Sequence, residues 1–197
     1  MNQPKVVVPA AGHFHAVRFY ENAESLARMV AGFVAEGLIT GHPAVLIATP
    51  EHRHAAVQHL VTMGFNIEQL KAQGDLIILD AREILATFMD DNLPDADRFE
   101  ATMMRIIDRA CRGRVDCVIR TYGEMVDVLW KDGMEAAAIR LEMLWNQLAN
   151  TRKFSLLCGY SMGSFYKNAG FEDIVSQHTH VVSPDGAVAP LKPERVN

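Results

Sequence analysis

Arg120-Thr121-Tyr122-Gly123-Glu124 places a guanidinium, a phenol and a carboxylate within five residues, directly behind the short run Val115-Asp116-Cys117-Val118-Ile119. If that run is a strand and Met125 to Trp130 opens a helix, the five residues form the turn between them. At such turns in an open α/β sheet, strand carboxyl ends meet helix amino ends, so free amides, a favourable dipole and a cleft coincide. A guanidinium there can anchor an anionic or carbonyl group, and a carboxylate can accept from a donor. Thr121-x-x-Glu124 also fits a capping box, in which hydroxyl and carboxylate satisfy orphan amides at a helix start. Two readings stand together: a cap alone, or a cap that also touches a ligand, because capping uses neither Arg120 nor Tyr122.

Other constellations are weaker. The sequence contains no Gly-x-x-x-x-Gly-Lys-Ser/Thr and no Gly-x-Gly-x-x-Gly between a strand and a helix, so phosphate-wrapping loops are missing. Arg120 stands where an acid would hold magnesium, which argues against nucleotide hydrolysis. Gly159-Tyr160-Ser161-Met162-Gly163 matches the nucleophile elbow, and Asp173 with His178 or His180 follow in hydrolase order. Little chain remains to support such a triad. Ser161 is therefore expected to cap a helix beside turn-forming glycines, with an esterase-like serine hydrolase as the alternative. His13-x-His15 and His178-x-His180 each put two imidazoles on one face of an extended segment, a metal-compatible spacing. No cysteine or acidic partner is placed by the sequence, so ordinary surface or strand-edge hydrogen bonds are expected, with no metal and no cofactor. His52, His54 and His59 do not share a helix face and are expected to be solvated. Met29, Met103, Met104 and Met143 read as core filler. Trp145 reads as part of a buried stripe, with a ligand wall as the lesser role.

These residues need a scaffold. The chain has 197 residues, 49% of them hydrophobic, enough for one domain with a real core. A net charge of -5 argues against nucleic acid or an anionic membrane as the main partner. Cys111, Cys117 and Cys158 are odd in number and lack C-x-x-C spacing, so free thiols in a reducing cytoplasm are expected and no disulfide. No signal peptide and no apolar stretch of spanning length is read.

Ala16–Tyr20 reads as a strand, Asn22 as a helix cap, and Leu26, Val30, Phe33 and Val34 as a helical stripe ended by Gly37. Ala44–Ala48 is a continuous apolar run suited to a parallel strand, and Thr49-Pro50 opens the next helix. Leu76–Asp80 is a third strand, with Asp80-x-x-Glu83 capping the helix behind it. Asn92-Leu93-Pro94-Asp95 interrupts the chain before a helix carrying Phe99, Met103, Ile106 and Ile107. Gly133 separates two helices, the second presenting Ala137, Leu141, Leu144, Trp145 and Leu148. Phe154–Cys158 and Val181-Val182 are further strands. The alternation predicts a three-layer α/β fold with a central, mostly parallel sheet. A single domain over 13–184 is expected, between a flexible amino terminus (1–12) and a flexible polar tail (185–197).

Phe14-His15-Ala16-Val17-Arg18-Phe19-Tyr20-Glu21, Gly37-Leu38, Arg120-Thr121-Tyr122-Gly123-Glu124-Met125-Val126, Leu129-Trp130, Leu141-Glu142-Met143-Leu144-Trp145-Asn146 and Leu156-Leu157-Cys158-Gly159-Tyr160 occur in this order. Together they resemble the methanogen/methylotroph sensory family, MEDS. The resemblance implies a RecA/KaiC-like fold without the phosphate loop. It also implies a sensory role toward small hydrocarbon or one-carbon derivatives, and partners that are signalling histidine kinases or transcription regulators. Carried over residue by residue, it marks His15, Tyr20, Glu21, Arg120, Tyr122, Gly123, Glu124, Trp130, Glu142, Trp145, Cys158 and Tyr160. Thr49 joins them as a candidate at the neighbouring strand end. Without an attached kinase or helix-turn-helix segment, the domain is expected to signal by docking or by forming a homo-oligomer, and a further alternative is a scaffold that binds only a protein partner or itself, without a small ligand.

Overall fold

The structure, a computed structural model, describes residues 14–165 and 170–191; His13 and the expected loose amino terminus lie outside them. Strand β2 (Ala44–Ala48) is buried at every position, as a parallel strand covered on both faces must be. It lies between β3 (Leu76–Asp80) and β6 (Ile119–Gly123), and β7 (Phe154–Ser161), β1 (Phe14–Tyr20), β8 (His180–Val182) and β9 (Val188–Pro190) complete the sheet. The order is β3-β2-β6-β7-β1-β8-β9, with every neighbouring pair parallel except β8 and β9. A two-residue hairpin, β4 (Met89–Asp90) and β5 (Leu93–Pro94), occupies the break before α5 (Ala96–Ala110).

Alternation along the strands assigns two cores. One face carries Phe14, Ala16, Tyr20, Leu46, Tyr122 and Leu157 beneath α1 (Ala23–Ile39) and α2 (Pro50–Thr62). The other carries Val17, Val45, Ile47, Leu156, Cys158 and Tyr160 beneath α4 (Ala81–Phe88), α5, α6 (Met125–Lys131) and α7 (Glu135–Ala149). Short α3 (Ile67–Gln73) and α8 (Phe171–Ser176) complete the set among the described residues. The expected starts hold at Asn22, whose side chain accepts from the Ser25 amide at 2.7 Å, and at Asp80, which accepts from Arg82 and Glu83.

Five expectations are corrected. The strand predicted over Val115–Ile119 sits four residues later, and Val115 is 92% exposed. Its polar residues can be buried because helix α1 serves them: Arg120 lies over the Phe33 ring and 3.4 Å from Glu36. Thr121 is therefore mid-strand, paired with Val45 and Leu156, and no capping box forms. Gly37 does not end α1; it lies inside the helix because Arg120 crosses it, and a Cβ there would fall 2.4 Å from Arg120 Cγ. The expected tail contains β9, paired with β8. Cys111 and Cys117 form a disulfide across the turn that joins α5 to β6. Their six-residue separation brings the two ends of a tight loop together, which a search for C-x-x-C overlooks. Among the described residues, no helix is long and apolar enough to cross a membrane.

Candidate functional site

The strands hand over to helices through very short turns. Glu21 and Asn22 alone join β1 to α1, and Thr49 alone joins β2 to α2. A loop that wraps phosphates needs eight residues in its motif, so neither junction has room for one. Instead, internal partners fill this end of the sheet. Glu124, 1% exposed, accepts from the Thr49 amide at 3.0 Å, from the Thr49 hydroxyl and from His52 Nδ1. Asp127, fully buried one turn along, accepts from the Tyr20 hydroxyl at 2.8 Å and the Ser161 amide at 2.9 Å, with Lys131 Nζ 2.7 Å away. The Glu124 hydrogen bond raises the pKa of His52. Burial and then the Asp127 charge push the Tyr20 phenol far above its ordinary range. These groups clasp the ends of β1, β2, β6 and β7 together.

Tyr20, Thr49 and Glu124 thus come together, but Arg120 and Tyr122 do not join them. Arg120 pairs in register with Ala44 at the start of β2, about 13 Å from Glu124 along an extended chain. Tyr122 is in the core, and its hydroxyl makes no hydrogen bond among the described residues. Trp145 packs edge-to-face on Phe99 and Phe154, a packing role. His52 was expected in solvent; it serves Glu124, and His59 lies 3.1 Å from Glu24.

Beside the clasp, a groove of about 480 Å³ opens over the ends of β1, β7 and β8. Glu21 is the one sequence candidate that lines it, with Arg18, Phe19, Met162 and Val181 among its neighbours. Arg18 is 5% exposed; its Nη1 donates to the Val182 carbonyl at 3.3 Å, and its Nε has no hydrogen-bond partner among the described residues. Burial lowers the Arg18 pKa, with Asp185 and Glu21 opposing.

Four more residues meet on the opposite face of the sheet. His15 from β1, Glu142 from α7, Cys158 from β7 and His178 following α8 are all buried, and one donor atom of each lies within 4.8 Å of the others. His15 Nε2 is 3.1 Å from Glu142 Oε2 and 3.4 Å from Cys158 Sγ. His178 Nε2 is 3.4 Å from Glu142 Oε1, which also accepts from the Tyr160 hydroxyl at 2.8 Å. The His15 and His178 rings are 4.2 Å apart. Histidine contacts hold Glu142 well below the usual carboxylate range against the cost of burial. Burial, followed by the His178 charge, lowers His15, whereas burial pushes the Cys158 thiol and Tyr160 phenol up. The expectation of surface or strand-edge histidines fails for His15 and His178.

The hydrolase triad does not assemble. Ser161 is in register with Tyr20, whereas His180 pairs with Ala16, four residues back and about 13 Å away along β1. His178 faces His15, one residue further back. Ser161 ends β7 and leads into a 3-10 turn. As site residues, Asp127 and Lys131 escaped the sequence reading, which had Arg18 only within a family motif, His52 as solvated, and His178 as a strand-edge histidine or a triad member. Only the i,i+3 spacing of Glu124 and Asp127 was a usable local signal; His178 reaches its cluster through the tertiary fold alone.

A family model described as MEDS, MEthanogen/methylotroph, DcmR Sensory domain, matches residues 14–179. Among solved structures, a KaiC-like protein from the hyperthermophilic archaeon Pyrococcus horikoshii is similar in fold. It superposes with a TM-score of 0.59 at 13% identity, over 91% of this chain and 80% of that one. Comparison with curated proteins gives no match.

Proposed function

We propose a ligand-sensing role: the chain belongs to the MEDS family, a family of sensory domains. In this reading it is a non-catalytic module that takes a small ligand in the groove over the ends of β1, β7 and β8. Its occupancy is relayed to a signalling partner, a histidine kinase or a transcription regulator. The observation that carries the reading is Arg18, a buried cation in the groove wall whose Nε lacks a hydrogen-bond partner among the described residues. A buried donor without an acceptor is costly, so a ligand that supplies one gains affinity there. Phe19, Met162 and Val181 offer apolar contact beside it. The matching ligand is a small hydrocarbon or one-carbon derivative with a carbonyl or carboxylate oxygen. Signalling requires different affinity for two states of the protein, since equal affinity shifts nothing.

A thermal-shift panel of short organic acids, aldehydes and halogenated one-carbon compounds tests this, with Arg18→Gln beside the wild type. A true ligand stabilises the wild type by about 2.7 kcal/mol at one hundred times its dissociation constant. Arg18→Gln should weaken binding at least tenfold. Equal shifts in both proteins would remove Arg18 from the site, and magnesium-dependent ATP turnover by the pure protein would end the non-catalytic reading.

A further inference from the structure

We propose that His15, Glu142, Cys158 and His178 form a transition-metal site for one divalent cation of the zinc type, contrary to the sequence expectation of no metal. The inference does not depend on the ligand groove, which lies at the carboxyl end of the sheet.

Donor geometry is the first argument. Tetrahedral zinc with bonds of about 2.0–2.3 Å spaces its ligand atoms about 3.3–3.7 Å apart. The separations are 3.1 Å for His15 Nε2 to Glu142 Oε2, 3.4 Å for His15 Nε2 to Cys158 Sγ and 3.5 Å for Cys158 Sγ to Glu142 Oε2. His178 Nε2 lies 3.4 Å from the other carboxylate oxygen. The four donor atoms lie within 4.8 Å of one another, so the widest pair draws in by about 1 Å to close the set around an ion.

The outer hydrogen bonds are the second argument. Asn146 Nδ2 donates to the Gln177 carbonyl at 2.8 Å, which turns its Oδ1 toward His15 Nδ1 at 2.9 Å. His15 Nδ1 therefore carries the proton. His178 Nδ1 faces the Ile174 carbonyl at 2.7 Å, a pure acceptor, and must donate as well. With Nδ1 donating outward in both rings, each Nε2 is the atom turned inward: that of His15 faces Glu142 and the Cys158 sulfur, and that of His178 faces Glu142 and makes no hydrogen bond among the described residues. Two inward-turned Nε2 atoms beside a carboxylate and a thiol form an arrangement that can hold a metal ion. Metal-bound histidines commonly donate their second ring nitrogen to a carbonyl oxygen in this way.

Charge supplies the third argument. The site is closed off from the surface: His15, Glu142 and Cys158 are 0% exposed and His178 is 2% exposed. Two neutral imidazoles, a carboxylate and a thiolate sum to minus two, which a divalent ion neutralises. The Cys158 proton, shared with Glu142 at 3.5 Å, leaves for solvent as the S–metal bond forms. Mixed nitrogen, sulfur and oxygen donors in this arrangement favour zinc or cobalt over magnesium or calcium. Because the donors are buried, the ion enters as the chain folds.

The full chain should be expressed in minimal medium with Zn(II), and separately with Co(II), then freed of loose metal and analysed for metal per chain. About one ion per chain is expected. The cobalt form should show tetrahedral d–d bands and a thiolate-to-metal charge-transfer band. Cys158→Ser should remove the charge-transfer band, and His178→Gln should lower occupancy at least tenfold. Asn146→Ala, which removes the acceptor for His15 Nδ1 together with the hydrogen bond to Gln177, should weaken binding about 10–100-fold. Background metal in the wild type from both media would overturn the proposal, as would a cobalt spectrum without a thiolate band. Those readouts need only the wild type, so an unfolded variant cannot shield the proposal.

Discussion

Gly159 and Tyr122 offer the sharpest test of how the strand interior is packed. A Cβ at Gly159 would fall 2.5 Å from the Tyr122 hydroxyl oxygen, 3.2 Å from Cζ and 3.3 Å from Cε2. The ring is 1% exposed, so it has little room to move away. Gly159→Ala should therefore cost about 1–3 kcal/mol, the usual range for overpacking a filled core. For a chain of about 150–250 residues this is roughly 2–4 °C of Tm per kcal/mol. Tyr122→Phe removes a hydroxyl that makes no hydrogen bond among the described residues, so it should be neutral or stabilising by about 1 kcal/mol. With phenylalanine at 122, the nearest atom to the new methyl is the ring carbon at 3.2 Å, and Gly159→Ala should then cost under about 1 kcal/mol. The double-mutant cycle, read from urea midpoints without ligand, should give a coupling of about 1–2 kcal/mol. Equal cost of Gly159→Ala in both backgrounds would refute the contact. Destabilisation by Tyr122→Phe of more than about 1 kcal/mol would show that the hydroxyl has a partner.

Two further predictions concern the strand-end clasp. Asp127→Ala leaves the Tyr20 hydroxyl and Ser161 amide without their acceptor and should cost about 3 kcal/mol, whereas Lys131→Met, at a 43% exposed side chain, should cost under about 1 kcal/mol. Similar losses in denaturant melts of the two variants would show that Asp127 serves mainly as an ion-pair partner. The pKa of His52 is raised above its ordinary 6.5 by the Glu124 hydrogen bond. Its contribution is therefore fully present below 6.5 and fades as pH rises through the higher folded value. Stability measured at intervals from about pH 5.5 to 8.5 should fall more steeply in wild type than in His52→Gln; parallel curves would remove His52 from the linkage.

Where a residue's local environment determined its role, the sequence was readable. Ala44–Ala48 is apolar because both its faces are covered, and Asn22 and Asp80 cap because their acceptors reach amides two or three residues away. Reading failed where a distant element served a polar side chain. Arg120 and Tyr122 look like turn residues until α1 and Gly159 supply the space that buries them. Gly37 looks like a helix stop for the same reason: the guanidinium stem crossing it is 83 positions away in sequence, at Arg120. The candidate residues are spread over several parts of the fold, and only Tyr20, Thr49 and Glu124 formed the expected group. His15, Glu142, Cys158 and Tyr160 were legible through the family motifs, but their joint arrangement depends on His178, which no spacing rule connects to them.

Strand β9 limits how this sheet can grow. The Ala187 carbonyl and Leu191 amide are turned toward Ser183 and Thr179, so the backbone groups of Val188 and Pro190 point away from the sheet. Proline has no amide hydrogen, which leaves that margin with one outward donor across the whole strand. A second copy cannot zip onto it with a continuous ladder. Assembly by strand addition is thereby steered to the far border, where Leu76–Asp80 contains no proline.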